Sequence, residues 1–396
     1  MYQTNERIYL EMRSEDASLW FVPSNQGDTI SLIIKAPSSA IKALISGCQL
    51  RLIFGRKGPY LNTGVRIMDI SDAHLLISGS QRYAEEHLAL LRLTLERRVP
   101  LFLFNELDVC LASTNLQLTE KAASQITNLI GEISSLYEGP FSAECKDALD
   151  CFCYSVDKTD IYQGASIIPL LEVSTTLGDW QVNQISFLGF RDCQTISIDN
   201  DDEGAIFERA IWASMESVFP MTLYKNPKVK SFNKTRELTD VIAFYEYGSF
   251  LIEAKDLKMF QGKYKRDQER RLKNVQNQIK KAIAQLNGAS KALKRGDPVY
   301  DLDGEELYII RDQPPHCIVL ITELMHWGDW SVVESQLIDS IHSSGAFFQV
   351  MDLREFISLL KASSDKAHLL DYHLINRFKE FVKNPSVHIR SRISSS

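Results

Sequence analysis

The chain has 396 residues, is 44% hydrophobic and 24% charged, and carries a formal net charge of -7. Those proportions belong to an ordinary globular protein and argue against a disordered, collagen-like or low-complexity chain. Seven irregularly spaced cysteines argue against a disulfide framework or a zinc module, and no stretch approaches the roughly 18 apolar residues of a membrane span, so a reducing, cytoplasmic location without a membrane partner is expected.

In chain order, residues 6 to 115 read mainly as short strands. RIYLEM, SLWFVP, TISLIIKA, QLRLIFG, TGVRIMDI and AHLLISG alternate apolar with polar residues and break at Gly, Pro, Asn or Asp, which predicts a sheet or small barrel. QRYAEEHLALLRLTLERRV interrupts them as a helix with Leu88, Leu91 and Leu95 on one stripe. PLFLFNELDVCLA returns to strand, residues 117 to 138 to helix, and SIIPLLEVST and WQVNQISFLGF to strand. The acidic run DNDDEG, residues 199 to 204, then marks a domain boundary. Asp199, Asp201 and Glu203 before Gly204 imitate half of a calcium loop, but Ala210 stands at the twelfth position, where a bidentate glutamate belongs. These acidic residues are better read as partners of the dipole of helix GAIFERAIWASMESVF. Residues 1 to 198 are expected to form a β-rich α+β domain with a regulatory, sensing or oligomerising role.

Beyond the boundary, MTLYKNPKVKSF reads as strand, and TDVIAFYEYGSFLIEAKD as a hairpin turning through Tyr247, Gly248 and Ser249. A helix from about Arg266 to Asn287, closed by Gly288, puts Leu272, Val275, Ile279, Ala282 and Leu286 on one buried stripe at spacings of 3, 4, 3 and 4. HCIVLITEL and FFQVMD are buried-strand candidates, the second followed by helix LREFISLLKA. Strands alternating with helices predict an α/β domain over residues 199 to 385, and residues 386 to 396 are expected to be a disordered tail. Charge is uneven along the chain. Residues 225 to 295 hold 18 Lys/Arg and 7 Asp/Glu, a net of +11 on an acidic protein, which points to a phosphate-bearing partner unless the lysines merely solvate a helix face.

The hairpin concentrates the chemistry. Asp240 opens its first strand and Glu253 and Lys255 end its second, where an unpaired charge costs about 2 to 7 kcal/mol. Residues two apart on a strand share a face, so Glu253 and Lys255 point one way and Ala254 the other; antiparallel pairing permits Asp240 to lie near Glu253. Two carboxylates and the Ala254 backbone carbonyl make an oxygen-rich pocket for a hard cation such as magnesium. The lysine can hold or help deprotonate an attacking water and balance charge growing on a phosphate. The bland alternative is a self-satisfying Glu-Lys pair, which seldom stabilises relative to apolar replacements. A second Glu-x-Lys, Glu144-Cys145-Lys146, has no strand leading into it. No Gly-rich phosphate loop or G-x-S-x-G elbow is present, His316 and His326 lack metal-ligand spacing, and Cys151 and Cys153 read as ordinary thiols.

An Asp-led hairpin ending in Glu253-Ala254-Lys255, with an acidic helix before it and a basic helix after it, resembles the PD-(D/E)xK nuclease superfamily over roughly residues 200 to 360. The resemblance implies a restriction-endonuclease-like mixed sheet flanked by helices. It implies that Asp240 and Glu253 hold magnesium with the Ala254 carbonyl, manganese being able to substitute, and that Lys255 is the catalytic lysine. Glu208 matches a further acidic ligand on the preceding helix, and Gln278 and Gln285, with Gln276 less well placed, match glutamines of some branches. Thr239 stands where a proline often precedes the aspartate. Lys225, Lys228, Lys230, Arg236, Lys263, Lys265, Arg266, Arg270 and Arg271 become candidate backbone contacts. The expected activity is hydrolysis of nucleic-acid phosphodiesters, double-stranded DNA first, in an effector of bacterial antiphage defence whose first domain engages a second copy or a partner protein. Two alternatives stay open: a noncatalytic nucleic-acid-binding or assembly subunit, and an RNA-cleaving enzyme.

Overall fold

The computed structural model describes residues 6–69, 74–158, 162, 164–188, 193–198, 203–231, 234–255, 268–322, 324, 325 and 327–391. The chain divides into two compact units, Met1–Asn183 and Gln184–Ser396, both mixed α/β. The division precedes the acidic run, so the strand pair on either side of residue 190 belongs to the second unit rather than the first.

The first unit runs α1 (Glu6–Ser14), β1 (Ser18–Ser24), β2 (Thr29–Lys35), α2 (Ser38–Ile45), β3 (Leu50–Lys57), β4 (Tyr60–Ile67), β5 (Leu75–Gln81), α3 (Ala84–Glu96), β6 (Arg98–Phe104), β7 (Cys110–Gln117), α4 (Glu120–Ile130), α5 (Ala143–Asp157), β8 (Leu170–Ser174), β9 (Thr176–Leu177) and β10 (Gln181–Val182). One sheet has the order β1-β2-β6-β7-β10 with β9 also on β7, and a second has the order β5-β4-β3-β8. These are two open sheets, where the strand pattern had allowed a small barrel.

Two sequence expectations change here. RIYLEM is helix α1, not strand. Ile8 and Met12 pack with Trp20, Val22 and Ile33, while Leu10, which strand alternation would bury beside them, is 58% exposed. In α3 the buried side holds Ala89, Leu90 and Leu93, and the expected stripe faces out, with Leu88 56% and Leu95 74% exposed. Five leucines in the eight residues from Leu88 to Leu95 support either helical phase, so periodicity alone could not choose. Cys151 and Cys153 are free buried thiols on α5; burial would raise Cys151, but bonds from Ser166 and Lys57 hold it below the usual thiol range.

The second unit continues with β11 (Gln184–Leu188), β12 (Cys193–Ser197), α6 (Glu203–Glu216), β13 (Leu223–Lys225), β14 (Lys228–Ser231), β15 (Lys234–Glu237), β16 (Val241–Tyr245), β17 (Gly248–Lys255), α7 (Gln268–Lys294), β18 (Val299–Tyr300), β19 (His316–Ile321), α8 (Ser331–Ser344), β20 (Phe347–Asp352), α9 (Leu353–Ala362) and α10 (Ala367–Lys383). Its main sheet has the order β13-β16-β17-β19-β20. The first two pairings are antiparallel and the last two parallel, as a hairpin followed by helical crossovers requires. A smaller sheet, β15-β14-β18, lies beside it in sequence order.

Side-chain alternation sorts the layers. Leu251, Cys317, Val319, Ile321, Phe348 and Val350 share a core with the α7 stripe of Val275, Ile279, Ala282 and Leu286 and with Val333 and Leu337 of α8. The alternate positions face the other layer: Phe250 meets Phe219 at 5.1 Å between ring centres, and Gln349 accepts from Arg377 of α10. The α7 stripe matches the sequence reading, but the helix does not stop at Gly288. Ala289, Ala292 and Leu293 extend the buried stripe, and Gly296, at φ +81, closes the helix with Asp297 N donating to Ala292 O at 3.1 Å. The tail is also ordered further than expected: Val387 is 2% exposed and Arg390 pairs with Asp352, so residues 386–391 are part of the fold, and residues 392–396 lie outside the described residues.

Candidate active site

Register decides whether the hairpin makes a site. Val241 pairs with Ile252 and Tyr245 with Gly248, leaving Glu246 and Tyr247 as the turn, one residue earlier than the sequence suggested. Continuing that register by one residue sets Asp240 opposite Glu253. Thr239, in the position where a proline is often found, donates its hydroxyl to Ile252 O at 2.7 Å and pins the entry to β16. Asp240 Oδ2 then accepts the backbone N–H of Ala254 at 2.7 Å. A residue's N–H and C=O leave an extended strand on the same side, so the Ala254 carbonyl is directed to the Asp240 side as well.

Lys255 Nζ closes the constellation, donating to Glu253 Oε2 at 2.8 Å and to Asp240 Oδ2 at 3.4 Å. All three side chains are largely withdrawn from water, with exposures of 13% for Asp240, 2% for Glu253 and 20% for Lys255. Glu253 and Lys255 share a face with Leu251, so they lie on the α7 side of the sheet, at the carboxyl end of β17. Burial pushes the Glu253 carboxyl up to about 7, and repulsion from Asp240 adds to the rise against the opposing pull of Lys255. Burial alone would depress the Lys255 ammonium, but Glu253 and Asp240 outweigh it and hold the group above its ordinary value. The cluster is therefore a lysine bridging two carboxyl groups, one of which holds its proton more tightly than an ordinary glutamate.

The remaining expected residues spread out. Glu208 is half-buried on α6, and among the described residues no group of three His, Cys, Asp or Glu side chains could hold a metal, so Glu208 does not complete a set with Asp240 and Glu253. Gln278 and Gln285 are exposed on α7, off the stripe that packs on the sheet, while Gln276 donates to Asp329 O at 2.6 Å. Lys228 and Lys230 are exposed and cross-strand from Glu237 and Thr235, whereas Arg236 is cross-strand from the buried Val229, on the other face of the β14–β15 pair. Lys225 lies over the Trp212 ring at 4.5 Å. Among the described residues, then, Lys228 and Lys230 do not share a face with Arg236. Lys263, Lys265 and Arg266 lie outside the described residues, as do His326 and the side chains of Arg270 and Arg271.

One carboxylate escaped the sequence reading. Glu237, the exposed last residue of β15, is raised by partial desolvation and then by the Asp240 carboxylate three residues on. Its only sequence signal was that spacing. The second Glu-x-Lys sits in the first turns of α5, where residues two apart diverge; Glu144 accepts from Ser142 and Lys146 pairs with Asp150. His316 is a core residue, stacked on Phe250 and bonded through Nε2 to Asp371 at 2.7 Å. A cavity of about 210 Å³ lies at the opposite end of the sheet and is lined by Ser249, Ser290, Lys294 and Arg311; its two cations donate to carbonyls at helix ends, and none of the triad lines it.

No protein-family model matches the chain, and neither a curated protein nor a solved structure matches it. Among the described residues no helix is long and apolar enough to cross a membrane.

Proposed function

We propose that the second unit is a metal-dependent phosphodiesterase of the PD-(D/E)xK type acting on nucleic acid, double-stranded DNA first. One observation carries the reading: Asp240, Glu253 and Lys255, 15 residues apart in sequence at most, converge through Lys255 hydrogen bonds of 2.8 and 3.4 Å. A mixed five-stranded sheet with helices against both faces supports it, since that is the core such enzymes share. Carboxylate and carbonyl oxygens suit magnesium or manganese, which take few protein ligands and complete their shell with water and phosphate oxygens. When bound, such an ion supplies Lewis acidity and a more acidic water. Asp240, Glu253 and the Ala254 carbonyl are the groups that would hold it. Lys255 stays charged at neutral pH and sits where it can balance the negative charge that develops on the phosphate and orient the attacking water.

A noncatalytic nucleic-acid-binding subunit is the second reading, favoured by the lack of a third metal-capable group among the described residues. Supercoiled plasmid, linear duplex and RNA incubated with magnesium, manganese or chelator separate the two. The proposal expects cleavage only with metal, abolished in Lys255→Ala while binding persists. Binding without cleavage in every divalent metal would leave the subunit reading standing.

A further inference from the structure

Away from the triad, the cavity of about 210 Å³ is walled by the ends of three elements: Ser249 near the start of β17, Ser290 and Lys294 in the last turns of α7, and Ser344 at the end of α8. Arg311, on the segment leading to β19, completes the polar wall. Helix capping explains part of it. Arg311 Nη1 donates to Leu293 O at 3.2 Å, while Lys294 Nζ reaches Ser344 O only at 3.4 Å, beyond the usual range for such a bond. Asp297 feels the Arg311 charge but takes its hydrogen bonds from Arg295 and Ser231, and among the described residues neither Lys294 nor Arg311 makes an ion pair. Capping does not explain Ser249. It is 2% exposed and lines the cavity, yet among the described residues its hydroxyl has no hydrogen-bond partner. A buried hydroxyl left unbonded is costly, so its partner belongs inside the cavity.

Charge and size narrow the partner. Water would satisfy the hydroxyl but would not offset two cations that face a single lining acid, the solvent-exposed Asp312. An anion does both. At about 210 Å³ the space falls below the roughly 300 to 1,000 Å³ of pockets for drug-sized ligands, so the occupant is compact. A phosphate monoester carries about -1.5 to -2 charges at neutral pH and three acceptor oxygens, which matches two cations and a hydroxyl better than one carboxylate does. We propose that this cavity binds a small phosphate-bearing anion, free phosphate or a compact phosphomonoester, held by Arg311 and Lys294 and by donation from the Ser249 hydroxyl. The proposal stands apart from the hydrolytic reading of Asp240, Glu253 and Lys255, none of which lines the cavity.

Calorimetric titration of the full-length protein with inorganic phosphate and, separately, with glycerol 3-phosphate tests it, in metal-free buffer with ionic strength held by chloride. One saturable site per chain is expected. Ser249→Ala and Arg311→Gln should each weaken it about tenfold, the loss of one hydrogen bond to a charged group, while Lys255→Ala should keep the wild-type affinity. Equal affinities for the two anions identify free phosphate as the ligand, tighter glycerol 3-phosphate identifies a phosphomonoester, and either supports the proposal. No saturable binding of either anion overturns it, and the two cations are then only helix caps. Binding that survives both cavity substitutions, or that is lost in Lys255→Ala, overturns it too, because the anion then sits elsewhere. Should Arg311→Gln fail to fold, hydrogen exchange of wild-type peptides covering residues 289–296 and 309–315 decides: phosphate must slow it, and unchanged exchange overturns the proposal. Failure of the protein to cleave nucleic acid would sink the hydrolytic reading and leave this one standing.

Discussion

Replacing Glu253 by glutamine should remove a pH dependence that originates in the second unit. The Glu253 carboxyl stands at about 7 against an ordinary 4.5, raised by burial first and by the Asp240 carboxylate second. A raised value in the folded state means that the folded protein holds this proton more tightly than the unfolded chain does. The resulting stability is complete below about 4.5 and is lost as pH climbs through 7. A gap of about 2.5 pH units at 1.36 kcal/mol each is about 3 kcal/mol. With the side chain 2% exposed, solvent screens little of that. Relative to wild type, Glu253→Gln should therefore gain about 3 kcal/mol between pH 4.5 and pH 8 in the presence of a chelator. Hydrogen exchange of peptides covering residues 241–255, measured in the full chain across that range, reads the local stability without assuming that the two units unfold together. Parallel pH dependences for the two proteins would refute the raised Glu253 carboxyl.

Two further outcomes follow from packing. Leu90→Ala should cost about 2 to 5 kcal/mol and Leu95→Ala no more than about 0.5 kcal/mol in urea unfolding, because the first is fully buried and the second is 74% exposed; similar values would mean that α3 sits in the other phase. Arg377, 5% exposed, donates to Gln349 and Val350 O, and burial drags its guanidinium down to about 10 despite the neighbouring Glu355. Arg377→Ala should cost about 3 to 5 kcal/mol, a drop of about 10 °C in Tm by calorimetry, since it strands Glu355 and two buried acceptors.

How much of this was legible in the sequence depended on whether local pattern and burial had one solution. Strand β17 was legible because Ser249 to Ile252 lead straight into charges, but the register was not, because the turn falls at Glu246 and Tyr247 rather than at Tyr247 to Ser249. The convergence of Asp240, Glu253 and Lys255 was therefore permitted by the strand lengths, and the observed register, with Tyr245 opposite Gly248, decides it. The phase of α3 was not legible, because leucine occupies both candidate faces. Nor was the end of α7: Gly288 looks like a stop, and only the burial of Ala289, Ala292 and Leu293 shows why the helix continues to Lys294, with Gly296 closing it. The chain end was misread for a related reason. RSRISSS has the composition of a loose tail, but Arg390 finds a fully buried partner 38 residues earlier, and no short-range pattern encodes a pairing of that separation.

Charge counting at the triad connects the chemistry to the order of binding. Lys255 bonds to both carboxyl groups and Glu253 holds its proton more tightly than an ordinary glutamate, so part of the cluster's negative charge is already offset. On the proposed reading such a cluster attracts a divalent cation weakly, because Lys255 already occupies the oxygens that would hold the ion. A phosphodiester brings a further negative charge and hard oxygen ligands, and it gives the Lys255 ammonium an alternative partner. On the proposed reading, ion and nucleic acid therefore bind with positive coupling, each raising the affinity for the other by the same factor. Lys255 is then the element that distinguishes the two states: bonded to Glu253 and Asp240 before they arrive, and turned to the phosphate afterwards. Removing it should raise metal affinity in the absence of DNA while abolishing turnover, a combination that loss of a simple structural ion pair would not produce.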